Sequence, residues 1–192
     1  MPDPNPAALD FLLTRRSRPA KTLTGPVPDR ETLRRLLEAA ARTPDHGKLE
    51  PWRFIVLEKA DLAQLAEGVA PRGAELGLEP ASIDKAEAQF ASADLAVAVI
   101  SAPVASEKVP EIEQVYSAGA VCLALLNAAL AAGWGANWLS GWPSHDAVFR
   151  ETRLGLAPHE RIAGLIHIGT ETAAPPERPR PDLDRIVTWG LG

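Results

Sequence analysis

Two adjacent arginines and a serine, Arg15-Arg16-Ser17, close a short apolar run, and Arg42-Thr43-Pro44-Asp45-His46 follows where a second apolar, helix-spaced stretch should stop. Arginine presents a rigid fork of donors that matches phosphate oxygens, and serine adds a rotating donor. If these two ends of chain converge, they suit a phosphorylated cofactor. The same residues have a plainer use. Arginines at a helix C-terminus also complement its dipole and its orphan carbonyls with no ligand present, and His46 after Pro44-Asp45 has a turn-stabilising alternative.

Other chemistries find no support in the residue pattern. The chain carries no glycine-rich dinucleotide fingerprint and no phosphate loop with a following lysine and serine. His46, His145, His159 and His167 show no metal-ligand spacing, so no metal site is expected. No serine lies in a nucleophile-elbow pattern. An enzyme built this way would position a cofactor that carries the chemistry. Flavin mononucleotide fits: one phosphate for the arginines, polar groups for the ribityl chain, and a planar ring against small residues and backbone amides.

Composition bounds the partners. A chain of 192 residues is about the size of one domain with a full core. Its formal net charge of −5 argues against a general nucleic-acid binder. Basic residues gather instead at Arg15 to Lys21 and Arg34 to Arg42. The lone Cys122 excludes an internal disulfide and sits in an apolar run, as a buried thiol would. Asp3 and Asp10 do not suit a signal peptide, so a cytoplasmic address is the expectation. From Gln114 to Ser144 no residue is charged, but Asn127, Gly133, Gly135 and Asn137 interrupt the run. A buried helix followed by a ligand-lining loop is expected there, and no membrane span.

The elements that must position these residues are legible in outline. Residues 6–16 read as a helix, and Pro28-Asp29 opens a second one through Leu33, Leu36, Leu37 and Ala40. Trp52 to Glu58 reads as a strand, Asp61 to Gly68 as a short helix, and Leu95 to Ala102 as a central strand. Residues 71–92 look partly helical without a clear pattern. Glu111 to Ala132 is the long helix, stopped by Gly133-Trp134-Gly135. Asn137 to Ser140 suits a short strand, Ser144 a cap for a helix running to Leu154, and Arg161 to Thr170 a last strand. Trp134, Trp138 and Trp142 suggest a pocket wall, with a buried tryptophan cluster as the alternative. The mixture of helices and strands without regular alternation favours an α+β sandwich. One domain over residues 1–172 is expected, followed by a proline-rich tail, 173–192, that suits a partner subunit's surface.

In order and spacing, Arg15-Arg16-Ser17, Arg42 to His46 with Pro51-Trp52, Glu113 to Gly119, Gly133 to Ser140 and Ile168-Gly169-Thr170 resemble the motifs of the nitroreductase family. The resemblance spans roughly residues 7–172. It implies a central mixed sheet flanked by helices, a long buried central helix, and an intertwined homodimer with FMN at the subunit interface. It also implies that Arg15, Arg16 and Ser17 hold the flavin phosphate, and that Arg42 reaches the polar ring edge. His46 would come from the second subunit toward the ribityl-phosphate, while Trp138, Leu139 and Ser140 lie beside the ring. No side chain is assigned as nucleophile or catalytic base.

Several places depart from the family's pattern; one is Arg18-Pro19-Ala20, which leaves open whether Lys21 or Arg18 supplies the next cation. Lys48 and Glu50 stand where many members have asparagine and glutamine, and Leu139 stands where a basic residue is common. Which of Lys21, Arg178, Arg180 and Arg185 supplies a further cation to the phosphate stays open. The activity implied is FMN-dependent oxidoreduction, with NAD(P)H and a small nitroaromatic or quinone acceptor taking turns in a ping-pong scheme. Alternatives are a flavin-binding storage or regulatory protein without turnover, and a family enzyme of different reaction, such as dehalogenation or flavin breakdown.

Overall fold

The computed structural model describes residues 3–190. Helix α1 (Pro6–Thr14) starts at Asn5, whose Oδ1 accepts from the Ala8 N–H at 3.1 Å, and buries none of its residues. Strand β1 is short (Leu23–Thr24), and α2 (Arg30–Ala40) starts at Asp29, whose Oδ1 accepts from the Thr32 N–H at 2.8 Å. Capping by Asn and Asp satisfies amides that have no intrahelical partner. Helix α2 buries Leu33, Leu36 and Ala40 of the residues its spacing singled out, and Leu37 is half-buried.

Strand β2 (Trp52–Glu58), helices α3 (Lys59–Glu75) and α4 (Pro80–Ala91), and strand β3 (Leu95–Ser101) follow. Then come α5 (Glu111–Ala131), β4 (Gly135–Leu139), α6 (Trp142–His145), α7 (Ala147–Leu154), β5 (Arg161–Glu171) and a short α8 (Leu183–Ile186). The sheet runs β1-β5-β3-β2, with β4 also paired to β5. Every paired strand is antiparallel, which corrects the expected mixed sheet. The reason lies in the connections. Two helices, α3 and α4, intervene between β2 and β3 and run out and back, so the chain re-enters the sheet at the end where it left, with Leu95 facing Glu58. The single helix α5 joins β3 to β4, which point the same way but each pair with β5 rather than with one another.

Strand β3 is buried at every position, and its side chains divide by the strand's period of two. Leu95, Val97 and Val99 join a cluster with α2 and α5, including Leu36, Val121 and Leu125. Ala96, Ala98 and Ile100 join a second cluster with α3, α4 and α7, including Leu62, Phe90 and Phe149. Helices thus cover both faces, which explains a strand with no polar alternation.

Three expectations are corrected in detail. The short helix read over Asp61 to Gly68 runs from Lys59 through Pro71 to Glu75, and residues 71–92 contain an ordered helical hairpin. The expected helix stops at Gly68, yet Gly68 and Gly73 both lie inside α3 and serve close packing. A Cβ on Gly68 would stand 2.5 Å from Arg153 Nε, and one on Gly73 2.6 Å from Ile83. Ser144 does not cap the helix to Leu154; Asp146 does, accepting from the Phe149 N–H at 2.7 Å. Helix α5 is buried on one side only. Val121, Cys122, Leu125 and Leu126 face the core, while Ile112, Val115, Tyr116 and Leu123 are exposed. It is the one described helix long and apolar enough to cross a membrane, and its inner face is packed on the sheet and α2.

Candidate cofactor site

Helix α1 ends at Thr14, so Arg15 to Pro19 run just beyond it. Arg15 takes an extended conformation (φ −55°, ψ 143°), and its N–H closes the last turn on the Phe11 carbonyl at 2.8 Å. The segment is lashed to β4. The Arg18 N–H donates to the Ala136 carbonyl at 2.8 Å, and Asn137 Nδ2 donates to the Arg18 carbonyl at 2.7 Å. This brings Arg15, Arg16 and Ser17 against Asn137 and Trp138 around a cavity of about 770 Å³. The C-terminal tail supplies the remaining wall, with Pro175, Arg178, Pro179 and Arg180.

The electrostatics of the cavity are one-sided. Arg15 Nη2 donates to Ser17 Oγ at 3.1 Å, but its Nε is buried and has no partner. Burial, followed by the charges of Arg180 and Arg16, holds the Arg15 guanidinium below its ordinary value. Arginine stays protonated regardless, so the side chain is a buried donor held among like charges. Such a group is costly unless an anion completes it. Arg15 is the C-cap of α1 and so lies near its dipole, but its guanidinium bonds none of the helix carbonyls; its one hydrogen bond goes to Ser17.

Trp138 reaches the cavity because Gly164 on the neighbouring strand has no side chain; a Cβ there would overlap the indole. Trp134 and Trp142 do not share this wall. Trp134 flanks a smaller pocket with Leu130 and Glu171, and Trp142 packs edge-on against Phe149 at 6.0 Å. Leu139 is half-buried and Ser140 exposed, and neither lines the cavity.

The second motif lies apart within the chain. Arg42 is exposed, and neither it nor His46 lines the cavity, so the two arginine-bearing corners do not converge in a single subunit. His46 Nδ1 meets Glu113 Oε2 at 2.7 Å, which ties the turn to the start of α5. Behind it, Trp52 Nε1 donates to Ser117 Oγ at 3.1 Å, and the Ser117 hydroxyl donates to the Pro44 carbonyl at 2.8 Å. Residues 47–50 are tightly wound: Gly47, Lys48 and Glu50 all have positive φ.

Sequence reasoning missed Asn137, whose signal was a polar residue interrupting an uncharged run. It left Arg178 and Arg180 undecided among four cations; Lys21 and Arg185 do not line the cavity. Among the described residues no group of three His, Cys, Asp or Glu could hold a metal. The Cys122 thiol is pushed up to about 12 by burial, which leaves it a core residue without nucleophilic character.

Fold and cavity together define an α+β protein with a cationic cradle beside a tryptophan wall. Comparison with known proteins places it further. Residues 12–170 match the model of the nitroreductase family, and the chain belongs to that family. It is 34% identical over 183 residues to "Putative NAD(P)H nitroreductase YdjA" of Escherichia coli K12, covering 95% of this chain and 98% of that one. A nitroreductase-like family protein from Bacillus cereus superposes with a TM-score of 0.77 at 23% identity, over the full length of both chains. A protein of Desulfovibrio desulfuricans solved in complex with FMN superposes with a TM-score of 0.74 at 21% identity, over 99% of this chain and all of that one.

Proposed function

We propose that the chain is an FMN-dependent oxidoreductase that takes electrons from NAD(P)H and passes them to small acceptors such as nitroaromatics or quinones. The observation that carries the reading is the buried, partnerless Nε of Arg15, in a cavity whose other cations are Arg16, Arg178 and Arg180. A phosphate monoester supplies the missing acceptors. Arg15, Ser17 and the tail arginines would hold that phosphate, and Trp138 would flank the planar ring. Asn137 keeps the Arg15–Ser17 segment on β4. Bound FMN would supply hydride transfer between the two substrates in alternating half-reactions. The protein's own part is to bind, orient and bias the charge of the site, because cations near a flavin favour its anionic reduced form.

The proposal includes a cytoplasmic homodimer. It is supported by apolar surface that one chain leaves open: α1 buries nothing, with Leu9, Leu12 and Leu13 all more than half exposed, and α5 turns Ile112, Tyr116 and Leu123 outward. Arg42 and His46 stand outside their own chain's cavity and would serve that of a second copy. Leu183, Ile186 and Trp189 of the tail are exposed as well, which suits burial against a partner. Purified protein is expected to show visible flavin absorption, or to gain it on adding FMN, and to bleach with NADH or NADPH in the absence of air. Failure to take up FMN would refute the reading. FMN uptake without bleaching by either nicotinamide would leave a binding protein without turnover.

A further inference from the structure

We propose that Arg16 is the clasp of a C-terminal strap, serving the phosphate site by delivering Arg178 and Arg180 to the cavity rather than by bonding the phosphate itself. The inference rests on the FMN reading above and assigns Arg16 a positioning role distinct from that of its neighbours.

The tail leaves the sheet at Thr172, whose N–H and hydroxyl both donate to the Thr22 carbonyl at 2.9 Å. Beyond that point, among the described residues, every hydrogen bond or ion pair joining the tail to the rest of the chain passes through Arg16. Its Nη1 donates to the Pro176 carbonyl at 2.7 Å and lies 3.5 Å from Glu177 Oε1. The same Glu177 oxygen stands 3.0 Å from Arg180 Nη2 and accepts from the Arg178 N–H at 2.9 Å. Glu177 itself does not line the cavity. One carboxylate, placed behind the site, thus knots Arg16 to the turn that presents both tail arginines.

Two physical arguments make the clasp consequential. Four guanidinium groups around one cavity repel one another, and Glu177 offsets part of that charge without occupying the site. Pro175, Pro176, Pro179 and Pro181 restrict the tail's backbone, so little further entropy is lost when a single anchor fixes it. Released from Arg16, the tail arginines would hang from Thr172 alone, and their effective concentration at the phosphate would fall.

The test is a double-mutant cycle in the full-length protein, titrated with FMN and with riboflavin, which lacks the phosphate. Arg16→Ala is expected to weaken FMN by about tenfold, the scale of one charge-assisted hydrogen bond, and to leave riboflavin binding unchanged. In an Arg178→Ala/Arg180→Ala background the same substitution should cost less than about twofold, the usual limit of additivity error. Glu177→Gln should show part of the loss, and it too should vanish in that background. A further tenfold loss in the triple variant, or no loss in Arg16→Ala alone, overturns the clasp. Wild-type protein that binds no FMN overturns the cofactor reading instead, so the two failures are distinguishable.

Discussion

The indole of Trp138 occupies the space that a Cβ on Gly164 would need, and this one missing side chain sets the tryptophan on the cavity wall. Gly164 sits where β5 slips register against β3: Val99 faces Gly164, yet Ile100 faces Ile162. On the neighbouring strand β4, Trp138 pairs with Ile166, and its indole crosses β5 over the bare backbone of Gly164.

Gly164→Ala should therefore push Trp138 off its seat. A cost of about 1–3 kcal/mol in stability is expected from overpacking, together with weakened FMN binding. Thermal melts and FMN titration check both. Unchanged FMN affinity would show that Trp138 is only a structural side chain.

The left-handed turn before β2 supports a second prediction. Lys48 has φ 54° and Glu50 φ 48°, a region that costs an L side chain roughly 1 kcal/mol. Asparagine tolerates it far better, and the family resemblance places asparagine at position 48. Lys48→Asn should raise stability by about 0.5 kcal/mol, read as an increase in the denaturation midpoint at an unchanged slope.

Asp146 has two separable tasks. It caps α7 through the Phe149 N–H, and it holds Arg72 on α3 by a bidentate pair at 2.8 and 3.0 Å. Asp146→Asn keeps a capping oxygen and weakens only the pair, whereas Asp146→Ala removes both. The alanine variant should lose about 2–3 kcal/mol and the asparagine variant roughly half of that. Equal losses in urea denaturation would mean that the cap contributes nothing.

What the sequence disclosed followed from periodicity and punctuation. Leu33, Leu36 and Ala40 repeat at helical spacing and are buried, and the uncharged run at Leu95 to Ala102 is a strand covered on both faces. The α3–α4 hairpin escaped because residues 71–92 carry no clear pattern and because Gly68 and Gly73 sit inside the helix for reasons of packing. Their spacing is explained only by Arg153 and Ile83, which approach from other elements. The same limit hid the tail's part in the site. Arg178 and Arg180 follow Arg16 by more than half the chain, and nothing local says which cation returns. Antiparallel pairing was equally hidden, since strand direction depends on how many helices separate two strands.

His167 carries the last prediction, about acid. It lies on β5, 2% exposed, with Nε2 buried and without a partner, and desolvation lowers its pKa to about 4. In the unfolded chain the same imidazole titrates near the ordinary value of about 6.5. The unfolded state therefore binds the extra proton first, and stability is complete above pH 6.5 and lost progressively as pH falls toward 4. The full difference is worth about 3 kcal/mol at 1.36 kcal/mol per pKa unit. Paired carboxylates act in the same direction but lower on the scale. Glu160, held to about 2 by Arg53, and Asp94 and Asp146, also held low by their cationic partners, give up their contributions mainly in more acidic solution. Between pH 6.5 and 4 the slope of stability against pH thus belongs largely to His167. His167→Leu should flatten that slope while leaving stability near pH 7 within the usual range of a core substitution. A variant that keeps the wild-type slope would show that the imidazole is already charged in the folded protein, with a partner or water at Nε2.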